Sequence, residues 1–143
     1  MRDRVFLDTN VLVYLYDNDA PEKQAKSRSI LEQGQERFRV VVSTQVLQEF
    51  YVTVTKKLSR FLSEGEILQA MQKLQKFPAV QVNVPMIFDA IELGRRYQIS
   101  FWDALITQAA LVAGCSRLLT EDLQHGLRIG GLTVENPFLD SWS

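Results

Sequence analysis

The chain reads as a single α/β domain over residues 1–143, a three-layer α-β-α sandwich around a mainly parallel sheet. Three observations predict this. Short β-branched or apolar runs such as Val5-Phe6-Leu7 and Phe38 to Val42 alternate with segments of helical period, as when crossover helices join parallel strands. Acids stand just past several of these runs, and open parallel sheets place ligand sites beyond the carboxyl ends of their strands. The chain is 46% hydrophobic and 23% charged, enough apolar material at this length for one core without disulfides.

Val5-Phe6-Leu7 is a short buried strand that stops at Asp8, and Val11 to Tyr16 opens a helix. The polar stretch Asp17 to Lys26 contains Pro21 and reads as a connection, with a helix from Ala25 to Gln35 ending near Gly34. Phe38 to Val42 is a strand, because consecutive β-branched residues suit a pleated buried surface. Ser43 or Thr44 can cap the next helix, whose apolar positions Leu47, Phe50, Tyr51, Val54 and Leu58 recur at helical spacing. Ser63 with Glu66 three residues later has the spacing of a capping box and starts a helix to about Lys76. Val80 to Val84 alternates as a strand does, and Pro85 opens a helix, where its missing N–H is no loss. Ser100 to Val112 is a helix apolar on nearly every side, ended by Gly114, and Arg117-Leu118-Leu119 is a strand before Thr120. No internal repeat or low-complexity segment interrupts this order.

Sixteen Lys and Arg against 17 Asp and Glu give a formal net charge of −1 and a pI near 5.8, without the overall positive charge common among nucleic-acid binders. The objection weakens if several acids are committed to divalent cations, because the basic residues then predominate. The first ten residues, MRDRVFLDTN, lack the uninterrupted apolar stretch of a signal peptide. No window has the roughly 18 unbroken apolar residues of a membrane span. A soluble, cytoplasmic protein is expected. Cys115 stands alone near the end of an apolar run and reads as a small core residue. His125 is the only histidine, so neither a histidine-rich zinc site nor a two-histidine acid–base site can be assembled.

Four acids stand in unusual company. Asp8 lies between Val-Phe-Leu and an almost wholly apolar segment, where a carboxylate is unfavourable unless bound; Asp8, Thr9 or Asn10 can equally supply a helix N-cap. Asp103 lies on an otherwise apolar helix, shares a face with Thr107, and can alternatively close a capping box with Ser100. Asp122 follows Leu118-Leu119-Thr120-Glu121 at a turn that can also be simply exposed. Glu49 points away from the main apolar stripe of its helix, as a solvated glutamate would, although Val46, Val52 and Thr53 beside it do not form a typical solvated face. Three acids thus stand at or just after expected strand ends and one early in a helix after a strand, so they can converge on one crevice. Four carboxylates remain ionised together only with cations, and an all-oxygen set suits Mg²⁺ or Mn²⁺.

The stretches Phe6-Leu7-Asp8-Thr9-Asn10-Val11-Leu12, Ser43-Thr44-Gln45-Val46-Leu47-Gln48-Glu49-Phe50, Phe101-Trp102-Asp103-Ala104-Leu105-Ile106 and Leu119-Thr120-Glu121-Asp122 together resemble the PIN-domain family, specifically the VapC-like toxins of prokaryotic toxin–antitoxin pairs. Each motif is short, but their order and spacing extend from residue 5 to about 134. The resemblance implies the α-β-α sandwich, a carboxylate site for Mg²⁺ or Mn²⁺, and endoribonuclease cleavage of single-stranded or loop RNA. Asp8, Glu49 and Asp103 resemble the family's three firm acids and Asp122 its more variable fourth, for which Glu121 can substitute. Thr9, Asn10 and Thr120 match the small polar residues that orient the carboxylates. The resemblance also implies a small antitoxin that blocks the site and, in many members, a homodimer. Lys56, Lys57, Arg60, Arg95 and Arg96 are candidate phosphate contacts, being close to the helices that lead from the site.

A receiver-type signalling class uses a phosphoryl-accepting aspartate in an acidic pocket, and another enzyme class also places an aspartate after its first strand. A haloacid-dehalogenase-like phosphatase uses it as a covalent nucleophile but normally has a second Asp where this chain has Asn10. A receiver-type signalling domain has a late lysine beside its final strand, which this chain lacks. A catalytically silent RNA- or protein-binding PIN module is the remaining alternative, and the intact acid set argues against it.

Overall fold

The computed structural model describes residues 2–142. Among these residues six strands form one sheet in the order β3-β2-β1-β4-β6-β5, flanked by helices in the three-layer α-β-α arrangement. β1 (Asp3–Leu7) pairs in parallel with β2 (Phe38–Ser43) on one side and β4 (Arg117–Leu119) on the other. β3 (Ala79–Val80) extends the sheet beyond β2, and β6 (Leu132–Glu135) extends it in parallel beyond β4. Only β5 (Arg128–Ile129) runs antiparallel, as a hairpin partner of β6. From β1 the chain moves first to β2 and β3, then returns to the opposite side of β1 as β4. The carboxyl ends of β1 and β4 are therefore the topological switch point, where a crevice opens between diverging connections.

Val5, Phe6, Leu7, Val42, Leu118, Leu119 and Val134 are almost completely buried and form the centre of the core with Leu12, Val46, Phe50 and Val54. The central strands are apolar because helices cover the sheet. A second cluster, Ala90, Leu93, Ala104, Leu105 and Ile129, lies where α5 (Val84–Tyr97) packs on α6 (Phe101–Val112). The two helices approach closely at Gly94, where a Cβ would lie 3.2 Å from the Ile99 carbonyl oxygen and 3.4 Å from the Ala104 Cβ. Gly114, at φ +71°, stands just past the end of α6, a conformation that favours glycine.

Several boundaries differ from the sequence expectations. α1 (Thr9–Val13) begins at Thr9 rather than Val11, because Asp8 caps it through the Thr9 N–H, and Tyr14–Tyr16 tighten into a 3₁₀ turn. α2 spans Pro21–Gln33, so the polar stretch is a connection only as far as Ala20 and is helical from Pro21 onward; Pro21 occupies the position where a missing N–H is harmless. Only Ser27 and Ile30 are buried on this helix, which explains its weak apolar periodicity. The strand expected over Val80 to Val84 is only Ala79–Val80, because the Asn83 side chain accepts from the Met86 N–H and starts α5 at Val84. α3 (Thr44–Lys57) is capped by Ser43, and α4 (Glu64–Leu74) by the full Ser63–Glu66 capping box. The hairpin of β5 and β6 corresponds to no element read from the sequence; its strands have two and four residues, too short for a visible alternation.

Among the described residues no helix is long and apolar enough to cross a membrane. Cys115 is buried as expected, and burial pushes its thiol up to about 11, which leaves it unreactive.

Candidate active site

Asp8 follows the last residue of β1, its backbone N–H donating to the Leu119 carbonyl of β4. Asp122 lies three residues past β4, and Asp103 in the first turn of α6. Each offers a carboxylate oxygen within 4.8 Å of the others. Asp103 does not follow a strand as the sequence reading supposed; α6 is entered from α5 through a left-handed Gln98 (φ 55°), and its packing against the sheet carries Asp103 to the strand ends. Glu49, in the second turn of α3, lines the same crevice. This crevice, about 560 Å³, is also bordered by Thr9, Asn10, Tyr14, Lys57, Trp102 and Glu121.

The carboxylates are held by neutral donors. Asp8 is 5% exposed and accepts from the Thr9 N–H (2.7 Å) and the Thr120 hydroxyl (2.7 Å), with the Asn10 amide at 3.4 Å. The same Asn10 nitrogen reaches Asp122 at 3.1 Å and Thr120 Oγ1 at 3.3 Å, while Asn10 Oδ1 accepts from the Glu121 N–H at 3.4 Å. Thr120 Oγ1 also accepts from the Asp122 N–H at 3.0 Å. Asn10 and Thr120 therefore couple the loops after β1 and β4. The Thr9 hydroxyl donates to Glu49 Oε1 at 2.7 Å, and Gln45 Nε2 donates to Glu49 Oε2 at 3.2 Å.

Capping and carboxylate placement coexist at Asp103. Ser100 Oγ accepts from the Asp103 N–H at 3.1 Å, but no return bond closes a capping box, so the carboxylate faces the crevice. Thr107, which shares its face, donates to the Asp103 backbone carbonyl rather than to the carboxylate.

Burial pushes the Asp8 carboxyl from 3.8 up to about 7; the Thr120 and Thr9 bonds oppose this, and Asp122 and Glu49 add to it. Burial also raises the Asp103 carboxyl, the Ser100 hydroxyl opposing and Asp122 and Glu49 reinforcing the shift. Among the described residues, none of the ion pairs involves Asp8, Asp103 or Asp122. Three converging carboxylates, one of them buried, fit a hard divalent cation, because only oxygen donors are present and a dication would replace the lost solvation. His125 lies outside the cluster, its Nδ1 accepting from the Asn136 N–H.

The two adjacent acids after β4 separate. Asp122 joins the cluster, whereas Glu121 accepts from the Tyr14 hydroxyl (2.6 Å) and pairs with Lys23 (2.8 Å). Lys23 also lies over the Tyr14 and Phe138 rings, so this group ties α2 and the C-terminal segment to the crevice rim. Of the five basic candidates, only Lys57 lines the crevice. Arg60 pairs with Asp19, Arg95 and Arg96 occupy the last turn of α5, and Lys56 is exposed on α3.

Sequence reading passed over Trp102 and Gln45. Trp102 belongs to a helix whose sequence is apolar on nearly every side, yet it is 61% exposed at the crevice wall, with Phe101 packed edge-on at 5.1 Å. Gln45 was visible only as the residue one turn before Glu49.

Fold and site together define a parallel α/β domain with a carboxylate crevice at its switch point. The chain belongs to the PIN domain family, whose pattern matches residues 5–126. Solved structures with this fold include a VapBC complex from Rickettsia felis bound to a fragment of its promoter DNA, at 22% identity over 93% of this chain and 98% of that chain (TM-score 0.67). A toxin–antitoxin complex from Klebsiella pneumoniae is similar at 19% identity over 93% and 97% (TM-score 0.70). So is a sarcin–ricin-loop-cleaving VapC toxin from Mycobacterium tuberculosis, at 19% identity over 80% and 86% (TM-score 0.63). At these identities the likeness establishes the fold. No curated protein matches the chain significantly.

Proposed function

We propose that this chain is a Mg²⁺- or Mn²⁺-dependent endoribonuclease of the VapC type, the toxin of a toxin–antitoxin pair. The observation that carries this reading is the meeting of Asp8, Asp103 and Asp122, from three separate segments, within 4.8 Å at the switch point of a PIN fold. Toxin–antitoxin complexes among the structures of the same fold support a small protein antitoxin as partner.

Asp8, Asp103 and Asp122 would hold the cation, with Glu49 beside them and Thr9, Asn10 and Thr120 fixing the orientation of the carboxylates. When bound, the cation supplies an activated water and neutralises charge developing on the phosphate and leaving oxygen. Lys57 faces the RNA backbone from the end of α3, and no protein nucleophile takes part. Incubation of a mixed RNA pool with Mn²⁺ is expected to give phosphodiester cleavage that stops in EDTA, with no phosphoaspartate on Asp8. Cleavage persisting in EDTA would overturn the reading, and a trapped phosphoenzyme would overturn it in favour of the phosphatase alternative.

Trp102 gives the crevice an apolar wall beside its charged floor, suited to an unpaired base flanking the scissile phosphate. Stacking of one base on an aromatic contributes about 1–3 kcal/mol. Trp102→Ala is therefore expected to raise KM for single-stranded RNA about tenfold, while the exposed position leaves the metal-free melting temperature nearly unchanged. An unaltered KM would remove Trp102 from substrate binding.

A further inference from the structure

We infer that Gln45 is a positioning residue that fixes Glu49 against the cation site. The inference rests on the nuclease reading above. Gln45 is 4% exposed on the first turn of α3, one turn before Glu49 and on the same face. Its Nε2 donates both protons, one to Glu49 Oε2 and one to the backbone carbonyl of Trp102, each at 3.2 Å. Both partners are acceptors, so the amide has only one workable orientation. Trp102 immediately precedes Asp103, and one buried amide thus joins the helix carrying Glu49 to the helix carrying Asp103.

This arrangement leaves Gln45 Oε1 buried with no hydrogen-bond partner. An unpaired buried acceptor is unfavourable, and an apolar side chain of similar volume would avoid it. Packing alone therefore does not account for glutamine here; its two donated bonds, to Glu49 and to the Trp102 carbonyl, do. The Thr9 hydroxyl holds the other Glu49 oxygen at 2.7 Å, so with Gln45 in place the carboxylate is fixed at both oxygens. Glu49 lies outside the tight three-acid cluster.

The test is Mn²⁺ binding by calorimetry to the full chain and to Gln45→Met, Glu49→Gln and the double variant, with metal-free melting measured beside it. Gln45→Met is expected to keep or raise the metal-free melting temperature and to weaken Mn²⁺ binding about tenfold or more, the scale found when outer supports of metal ligands are removed. In the Glu49→Gln background, Gln45→Met should weaken binding no further, since its effect passes through Glu49. Mn²⁺ affinity unchanged in Gln45→Met, or additive losses in the double variant, overturns the inference while the nuclease reading stands. A wild-type chain that does not bind Mn²⁺ overturns both. Should Gln45→Met fail to fold, Gln45→Leu is read in the same way, and loss of folding in both makes Gln45 a structural residue and rejects the inference.

Discussion

Asp8→Asn should make the metal-free protein more stable at neutral pH and at the same time abolish its stabilisation by Mn²⁺. Folding moves the Asp8 carboxyl from 3.8 to about 7. The folded state therefore keeps a proton that the unfolded chain releases above about pH 4. Asp8's contribution to stability is fully present below that pH, declines as pH rises, and is lost once pH passes about 7. The interval corresponds to on the order of 4 kcal/mol at 1.36 kcal/mol per pH unit. Asparagine keeps the shape but carries no charge, so this pH dependence should flatten and the melting temperature at pH 8 rise by several degrees. Part of the gain is offset, because the asparagine nitrogen faces Thr120 Oγ1, which already accepts from Asn10 and Asp122. Wild-type protein should gain about 2.7 kcal/mol from Mn²⁺ at ~100 times its Kd, and the variant should not. Glu32→Gln, an exposed change outside the crevice, is the control. If Asp8→Asn, Glu49→Gln, Asp103→Asn and Asp122→Asn all melt like that control with and without Mn²⁺, the carboxylates form no metal site.

Asp103→Asn should reduce RNA cleavage by ~100-fold or more, because a group supporting several kcal/mol of transition-state charge stabilisation is lost and each 1.36 kcal/mol is a factor of ten. Stability should change by about 1 kcal/mol or less. The α6 cap is made by Ser100 Oγ and the Asp103 backbone N–H, and neither is altered. Ser100→Ala separates the two roles, since it removes the cap at a cost of about 1 kcal/mol while leaving the Asp103 carboxylate in place. Chemical denaturation and initial cleavage rates on both variants provide the comparison. An Asp103→Asn protein that loses several kcal/mol of stability yet cleaves at the wild-type rate while folded would show that the carboxylate serves structure alone.

Much of this protein was legible in the linear chain. Apolar runs ended by Asp8 and Thr120, the Ser43 cap and the Ser63–Glu66 box are local signals, because side chains within four residues decide them, and the structure has them at these positions. Asp8 and Asp103 stood out by their apolar surroundings, Glu49 and Asp122 much less so, and the PIN-domain resemblance joined the four into one set. What tertiary structure decided is anything that depends on partners remote in sequence. Which acid after β4 enters the cluster is set by Lys23 and Tyr14, about a hundred residues away, which draw Glu121 outward and leave Asp122 with Asn10. The exposure of Trp102 on an apolar helix follows from where α5 and the sheet leave α6 uncovered, and periodicity cannot show this when nearly every position is apolar. Gln45 likewise looks like an ordinary polar helix residue until α3 and α6 are brought together, and its hydrogen bond to Trp102 spans 57 positions in the chain. Short-range patterns and residue type carry the alternation of strands and helices, and they point to a carboxylate chemistry. Which oxygens face one another depends instead on the relative placement of segments whose separation the chain does not encode locally.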